Sequence, residues 1–340
     1  MGAAFSVLFM AYGAQFSFGV FFSALLEEFG WSRGALSGAF ALYAFGYSGL
    51  SVASGHLTDR WGPRAVIATG GVFLGAGWIA MSTTSSLWHP YVFYGVVAAI
   101  GMTTANVPCT ATVARWFARR RGLATGLASS GGSFGAFCLP PIAQLLVSGV
   151  GWRRAYVIFG AAILVTLNLL APFMKRDPEG LGLRPDGDPP AEANGARPER
   201  ARDYTMRQAM RTRAFWVLFA LFAATWIPVF APLVHLVPLA RGLGVNPLVA
   251  ATLVSALGMA GILGRLILGS VSDRIGRRPA IGIGLLLQIA AFLGFAVAGA
   301  LPGLYAASIA FGFSYGAVAS LFAPIVADFF GRERAGSLVG

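Results

Sequence analysis

The sequence predicts an all-α polytopic membrane protein, and three observations carry that prediction. Charged residues make up 11% of the 340-residue chain, where soluble domains carry about 25%. The hydrophobic set reaches 56%, more than the polar surface available could coat. The apolar residues also gather in runs of about 20, the length that crosses a bilayer core as a helix, and they occupy every face of each run rather than one stripe. Alternation over about 10 residues, the mark of a transmembrane strand, does not occur. A soluble enzyme, a nucleic-acid-binding domain and a disordered chain are thereby excluded as leading readings. Cys109 and Cys138 both lie in apolar runs, so no disulfide framework is expected.

Ten runs follow in order. The first, 3–26, has no basic segment before it and no small-residue cleavage site after it, so it reads as a span and not as a cleaved signal. The runs 35–54, 64–82, 90–113, 122–147 and 153–173 complete a first group. A stretch at 176–203, rich in Pro, Gly, Arg and acids, cannot bury a core and reads as a disordered linker. Between Tyr204 and Arg213, Met206 and Met210 alternate with Arg207 and Arg211. That stretch fits either a surface amphipathic helix or a solvated linker end. The runs 214–239, 247–269, 279–298 and 303–327 follow. Pro140, Pro141, Pro228 and Pro232 predict kinks. The pairs Gly71/Gly75, Gly131/Gly135 and Gly312/Gly316 have the spacing of close helix packing.

Charge sets the orientation. Of 25 Lys and Arg, 20 fall in the connections 55–64, 114–121, 174–213 and 270–278 and in the tail after 328. The alternate connections hold only Arg33, Arg153, Arg154 and Arg241. The positive-inside rule places the rich set, and the N-terminus, in the cytoplasm of a cell membrane. The same asymmetry reads the net charge of +12 as topology and not as nucleic-acid binding.

An internal repeat divides the chain. Gly55-His56-Leu57-Thr58-Asp59-Arg60-Trp61-Gly62-Pro63-Arg64 parallels Gly269-Ser270-Val271-Ser272-Asp273-Arg274-Ile275-Gly276-Arg277-Arg278 at an offset of 214, which also aligns Arg120 with Arg334 and Gly122 with Gly336. Parallel repeats of this kind build transporter-like halves. The predicted organisation is a first half at 1–175, a cytoplasmic linker at 176–213 and a second half at 214–340.

The doubled Gly-x-x-x-Asp-Arg-x-Gly-x-Arg loop resembles the cytoplasmic signature of the major facilitator superfamily, and the likeness spans the chain. Glu28-Phe29-Gly30-Trp31-Ser32-Arg33, Arg115-Trp116-Phe117, Gly151-Trp152-Arg153-Arg154 and Gly182-Leu183-Arg184-Pro185-Asp186-Gly187 look more narrowly like its monocarboxylate and oxalate/formate carrier branch. The resemblance implies the major facilitator fold with twelve helices, of which ten are present. It also implies alternating access by two rocking halves, latched on the inside by Gly55, Asp59, Arg60, Gly62, Arg64, Gly269, Asp273, Arg274, Gly276 and Arg278. Asp59 is expected to face the positive end of a neighbouring helix, and Gly62-Pro63 to make a tight turn.

All 13 acids fall in connections or at helix ends, so no span centre holds a carboxylate relay of the kind many carriers use. Arg265 is the exception in sign, a cation within 247–269. A charge at a span centre costs about 2.5–3.5 kcal/mol on insertion scales and calls for a partner. A ligand carboxylate, which guanidinium binds bidentately, is one reading; snorkelling towards the cytoplasmic end is the other. The resemblance favours the first, because Arg265 matches that branch's substrate-binding arginine. By the same analogy the first, fourth, seventh and tenth spans line the cavity, which offers Tyr12, Gln15, Asn106, Trp226 and Tyr315 as further substrate contacts. His235 reads as interfacial, and Gln288 as an interhelical hydrogen-bond donor or acceptor.

Gly312-Phe313-Ser314-Tyr315-Gly316 fits a hydrolase nucleophile pattern, but that chemistry needs a strand-to-helix turn and the motif lies in an apolar helix. Three scattered histidines give no metal spacing, and no phosphate loop occurs. The expectation is therefore a monomeric, non-enzymatic carrier of a small organic anion in the lipid bilayer, without cofactor, metal or nucleic-acid partner. A drug or sugar carrier of the same fold, or an inactive truncated product, is the alternative. The offset maps Gly340 onto Gly126, so two further spans are expected beyond Gly340, with Gly336–Gly340 the opening turn of the eleventh.

Overall fold

The computed structural model describes residues 1–117, 121–178 and 206–330. Most of the 176–203 linker, Arg119, Arg120, Arg332, Arg334 and the Gly336–Gly340 turn lie outside the described residues, as does the side chain of Asp273.

Helix α1 (Gly2–Phe29) ends where Gly30 turns left-handed at φ 64° and donates its N–H to Leu26. Helix α2 (Arg33–Gly49) opens on Ser32, whose hydroxyl accepts from the Ala35 N–H at 3.2 Å, satisfying one of the donors a helix start leaves open. Helix α3 (Ser51–Met81) contains Gly62 at φ 82° and ψ 159°, followed by Pro63. The expected second span, 35–54, is thus divided at Leu50. Leu50 still donates to Gly46 and accepts from Ser54, both at 3.0 Å, so α2 runs on towards the Gly62 turn with one residue outside the regular ladder.

The fourth expected span is composite. A short α4 (Trp88–Val92) widens into a π-turn, Phe93–Ala98, before α5 (Ala99–Trp116). Helix α6 (Arg121–Val150) and α7 (Trp152–Leu170) follow, the latter extended by a 3₁₀ turn, Ala171–Phe173. The stretch around Met206 is a single helical turn, α8 (Met206–Ala209), and Ala209 is wholly buried in the second unit's core. It is therefore neither a surface amphipathic helix nor a solvated linker end. The last four spans are α9 (Arg213–Gly242), α10 (Pro247–Ile275), α11 (Arg277–Val297) and α12 (Leu301–Phe330). Among the described residues nine helical stretches are long and apolar enough to cross a membrane; α2, at 17 residues, makes the tenth together with the chain up to Gly62. Phe45, Leu169, Ile227 and Val297 are among the large apolar side chains left exposed on them, as suits a lipid-facing surface.

The chain divides into two compact units. One is Met1–Pro190 with Val234–Ser255; the other is Ala191–Leu233 with Ala256–Gly340. In the first, Tyr94 of the π-turn stacks on Phe18 and Tyr43 at 4.3 Å each, and Phe21 packs between Trp78 and Tyr156. In the second, Phe222, Leu268, Leu321 and Ile325 form the core.

All three predicted glycine pairs bring backbones together. A Cβ on Gly135 of α6 would stand 2.9 Å from Gly13 of α1, and one on Gly71 of α3 would stand 2.7 Å from Leu167 of α7. Gly312 and Gly316 of α12 lie against the backbone of Leu257 and Gly261 of α10.

Candidate functional site

In the second unit the α10–α12 glycine contact decides what meets what. Gly264 lies against the backbone of Phe313. Its neighbour Arg265 is thereby set beside Tyr315, close enough for the guanidinium charge to act on the phenol. Tyr315 in turn meets Trp226 of α9 edge-to-face, ring centroids 5.4 Å apart at 80°. Trp226 is placed by its neighbour: the buried amide of Gln288 on α11 donates to the Thr225 carbonyl at 3.1 Å. The expected interhelical role of Gln288 is met, and the bond fixes α9 at the turn that carries Trp226. Three of the six sequence-predicted contacts, Arg265, Tyr315 and Trp226, therefore form one group, with Arg265 half-buried. Ser314, the decoy nucleophile, is buried and donates to Phe311 of its own helix at 2.8 Å.

In the first unit Tyr12 and Gln15 share α1. Tyr12 packs over Gly132 of α6, where a Cβ would stand 3.2 Å from the ring, and lies within electrostatic reach of Tyr43. Gln15 is 2% exposed, and its Oε1 is buried with no hydrogen-bond partner among the described residues. Asn106 sits on α5 with an exposed side chain.

The first signature loop has a partner that differs from the expected one. Asp59 accepts from Arg115 at the end of α5, at 2.7 Å, and not from a helix N-terminus. Arg115 also reaches Asp177 at 3.7 Å, and the indole of the adjacent Trp116 donates to the Lys175 carbonyl at 2.9 Å. The loop is thus tied to the ends of the fourth and sixth spans. Gly55 packs near Val107, while Arg60 and Arg64 are exposed. In the repeat, Gly269 lies in α10 and Gly276 caps α11 at φ 89° and ψ 155°, the conformation of Gly62. Arg274 is exposed, and Arg278 lies over the Phe329 ring at 5.4 Å.

Sequence reasoning missed the opposite end of the first unit. Glu28 accepts from the Trp152 indole and pairs with Arg153 at 2.5 Å, and Arg153 covers the Trp152 ring at 4.2 Å. Glu27 pairs with Arg241 at 2.6 Å, while His235 lies 3.4 Å from Ser37 and edge-on to Phe22. One signal was available: Glu27, Glu28, Arg153 and Arg241 all belong to the charge-poor connections, so each sign has its partner there. Among the described residues no group of His, Cys, Asp or Glu could hold a metal ion.

Comparison with known proteins places this arrangement in context. A family model described as Major Facilitator Superfamily matches residues 4–340. Human "Monocarboxylate transporter 11" is 33% identical over 94% of this chain and 67% of its own length. Rat "Monocarboxylate transporter 3" is 31% identical over all of this chain and 69% of its own. An Escherichia coli protein, "Uncharacterized MFS-type transporter YhjX", is 25% identical over 95% of this chain and 78% of its own. Among solved structures, an inward-facing bacterial homologue of the lysosomal transporter Spinster superposes with a TM-score of 0.75 at 17% identity, over 99% of this chain and 76% of that one. A D-xylose-proton symporter superposes with a TM-score of 0.69 at 16% identity, covering 99% of this chain and 84% of that one.

Proposed function

From the premise that the chain belongs to the major facilitator superfamily of membrane transporters, we propose that it moves a small organic anion, a monocarboxylate, across the membrane by alternating access. The observation that carries this reading is the Arg265 group. A guanidinium in an apolar span, flanked by a phenol and edged by an indole, suits a flat carboxylate: the cation takes the two oxygens bidentately and the rings enclose the short apolar remainder. Two relatives carry the printed name of monocarboxylate transporters, which supports the same substrate class.

The expected working of the site follows from charge. An empty site leaves Arg265 in low-dielectric surroundings, and a bound carboxylate neutralises it, so loading lowers the cost of carrying the guanidinium through the apolar span. Gln15, Tyr12 and Asn106 supply the polar contacts of the first half. The orphan Oε1 of Gln15 is an acceptor suited to a hydroxyl or a protonated carboxyl group. Asp59 and Arg115 close the signature face, and the N-terminus lies in the cytoplasm of a cell membrane, with the chain acting as a monomer.

The test is uptake of labelled lactate, pyruvate, formate and oxalate into proteoliposomes. Losing one partner of a desolvated charge pair costs about 2–5 kcal/mol, so Arg265→Ala should cut carboxylate uptake at sub-saturating substrate at least about 30-fold. Arg265→Lys should recover only part of it, because an ammonium lacks the planar fork. Unchanged uptake by Arg265→Ala would refute the assignment.

A further inference from the structure

The first unit carries a second anion-attracting feature, away from the spans' apolar middle. At the Gly62 turn the chain opens a concavity of about 430 Å³, lined by Arg60, Trp61, Arg64, Lys175 and Arg176. Cations in its lining outnumber carboxylates four to one, the single acid being Asp177. Asp177 is already engaged by Arg176 at 3.3 Å and by Arg115 at 3.7 Å. Two features make it a built cleft and not a loose charge patch. Gly62 at φ 82° breaks α3 so that Arg60 and Arg64 flank the turn. The Trp116 indole holds the Lys175 carbonyl, which fixes the backbone that carries the other two cations.

Its surroundings identify the occupant. Trp61 is 58% exposed beside the cations, and tryptophan concentrates at the membrane–water boundary. Phe173 and Leu169, on the last turns leading into Lys175, are 72% and 66% exposed. A cationic cleft that continues into an exposed apolar wall matches a molecule with a phosphate at one end and acyl chains at the other. A free phosphate would use only the cleft. The turn also recurs in the second unit: Gly276, at φ 89°, opens a concavity of about 540 Å³ lined by Arg277 and Arg278.

We propose that the Gly62 concavity binds the phosphate headgroup of an anionic phospholipid, with Arg60, Arg64, Lys175 and Arg176 holding the phosphate and Trp61 and Phe173 flanking the glycerol and first methylenes. Basic pockets at helix ends hold anionic headgroups elsewhere, each basic residue contributing a similar increment. The inference does not depend on which solute the protein carries.

Native mass spectrometry of the purified full chain, given phosphatidylglycerol or phosphatidylcholine with matched acyl chains, tests it. The wild-type chain should retain phosphatidylglycerol at least tenfold better. The double variant Arg64→Gln/Lys175→Gln should lose that preference by on the order of 30-fold, while Arg64→Lys/Lys175→Arg should keep it. If the first double variant loses its thermal midpoint in phosphatidylcholine, Arg60→Gln alone is read instead, for a loss of about fivefold. Equal retention of both lipids, or a preference untouched by the charge-removing variants, would overturn the proposal. So would displacement of the lipid by an equal concentration of glycerol phosphate, which would make the cleft a site for free phosphate esters.

Discussion

At the scale of single residues, the site turns on side chains whose chemistry exceeds what their surroundings require. Gln15 is the clearest case: its Oε1 is buried and unpartnered among the described residues, and an unmet buried acceptor costs about 1–3 kcal/mol. Gln15→Leu should therefore raise the thermal midpoint in detergent while lowering carboxylate uptake, a split that a purely structural residue would not give. Tyr315→Phe keeps the ring that packs on Trp226 but removes the hydroxyl beside Arg265. It should raise the apparent KM for carboxylate several-fold, consistent with a net contribution of about 0.5–1.5 kcal/mol for one hydrogen bond, with little change in thermal midpoint. Arg265 itself was legible in the sequence, because a lone charge in an apolar run declares itself. The partner of Asp59 was not. Arg115 lies 56 positions along the chain, and only the register of an intervening irregular span brings the two together.

At the scale of helices, contact is decided by which residues lack a side chain. Gly135 and Gly316 sit where a Cβ would overlap the backbone of a neighbouring helix, whereas Gly126, in the same helix as Gly135, has nothing within 4 Å. Gly135→Val and Gly316→Val should each destabilise by about 1–3 kcal/mol or more through overpacking, read as a lower thermal midpoint. Gly126→Ala should be neutral or stabilising by about 0.5–1 kcal/mol, the ordinary cost of glycine inside a helix. Gly62→Ala should cost about 1–3 kcal/mol, because φ 82° with ψ 159° is a conformation that essentially only glycine adopts. Spans and packing pairs could be read from the sequence because apolar run length and small-residue spacing are local properties. The break at Leu50 could not, since a leucine with helical dihedrals leaves no compositional trace.

At the scale of the molecule, the first compact unit is not confined to the first half of the repeat: it takes in Val234–Ser255, which Glu27 and Ser37 hold through Arg241 and His235. A carrier that opens on that face must part these contacts. The Glu27–Arg241 pair is largely exposed on the Glu27 side, so it contributes about 0.2–1 kcal/mol. Glu27→Gln should then raise the reactivity of a cysteine placed at Ser37 towards an impermeant thiol reagent by up to about fivefold, without altering the fold. The repeat foretold two halves because an offset of 214 is visible in the letters; the sharing of α9 between units was invisible because it depends on contacts between distant segments. The π-turn at Phe93–Ala98 has a consequence for the chain as heritable text. A wide turn accommodates about one residue more than an α-helix would, so deleting one residue there should restore an unbroken helix and leave hydropathy unchanged. It would also rotate everything from Ala99 onward by about 100°, swinging Arg115 away from Asp59 and Trp116 away from Lys175. Single-codon deletions within this window should therefore yield chains that insert and fold as helices yet lose the ties at the signature face, making the length of this segment, more than its composition, the inherited quantity.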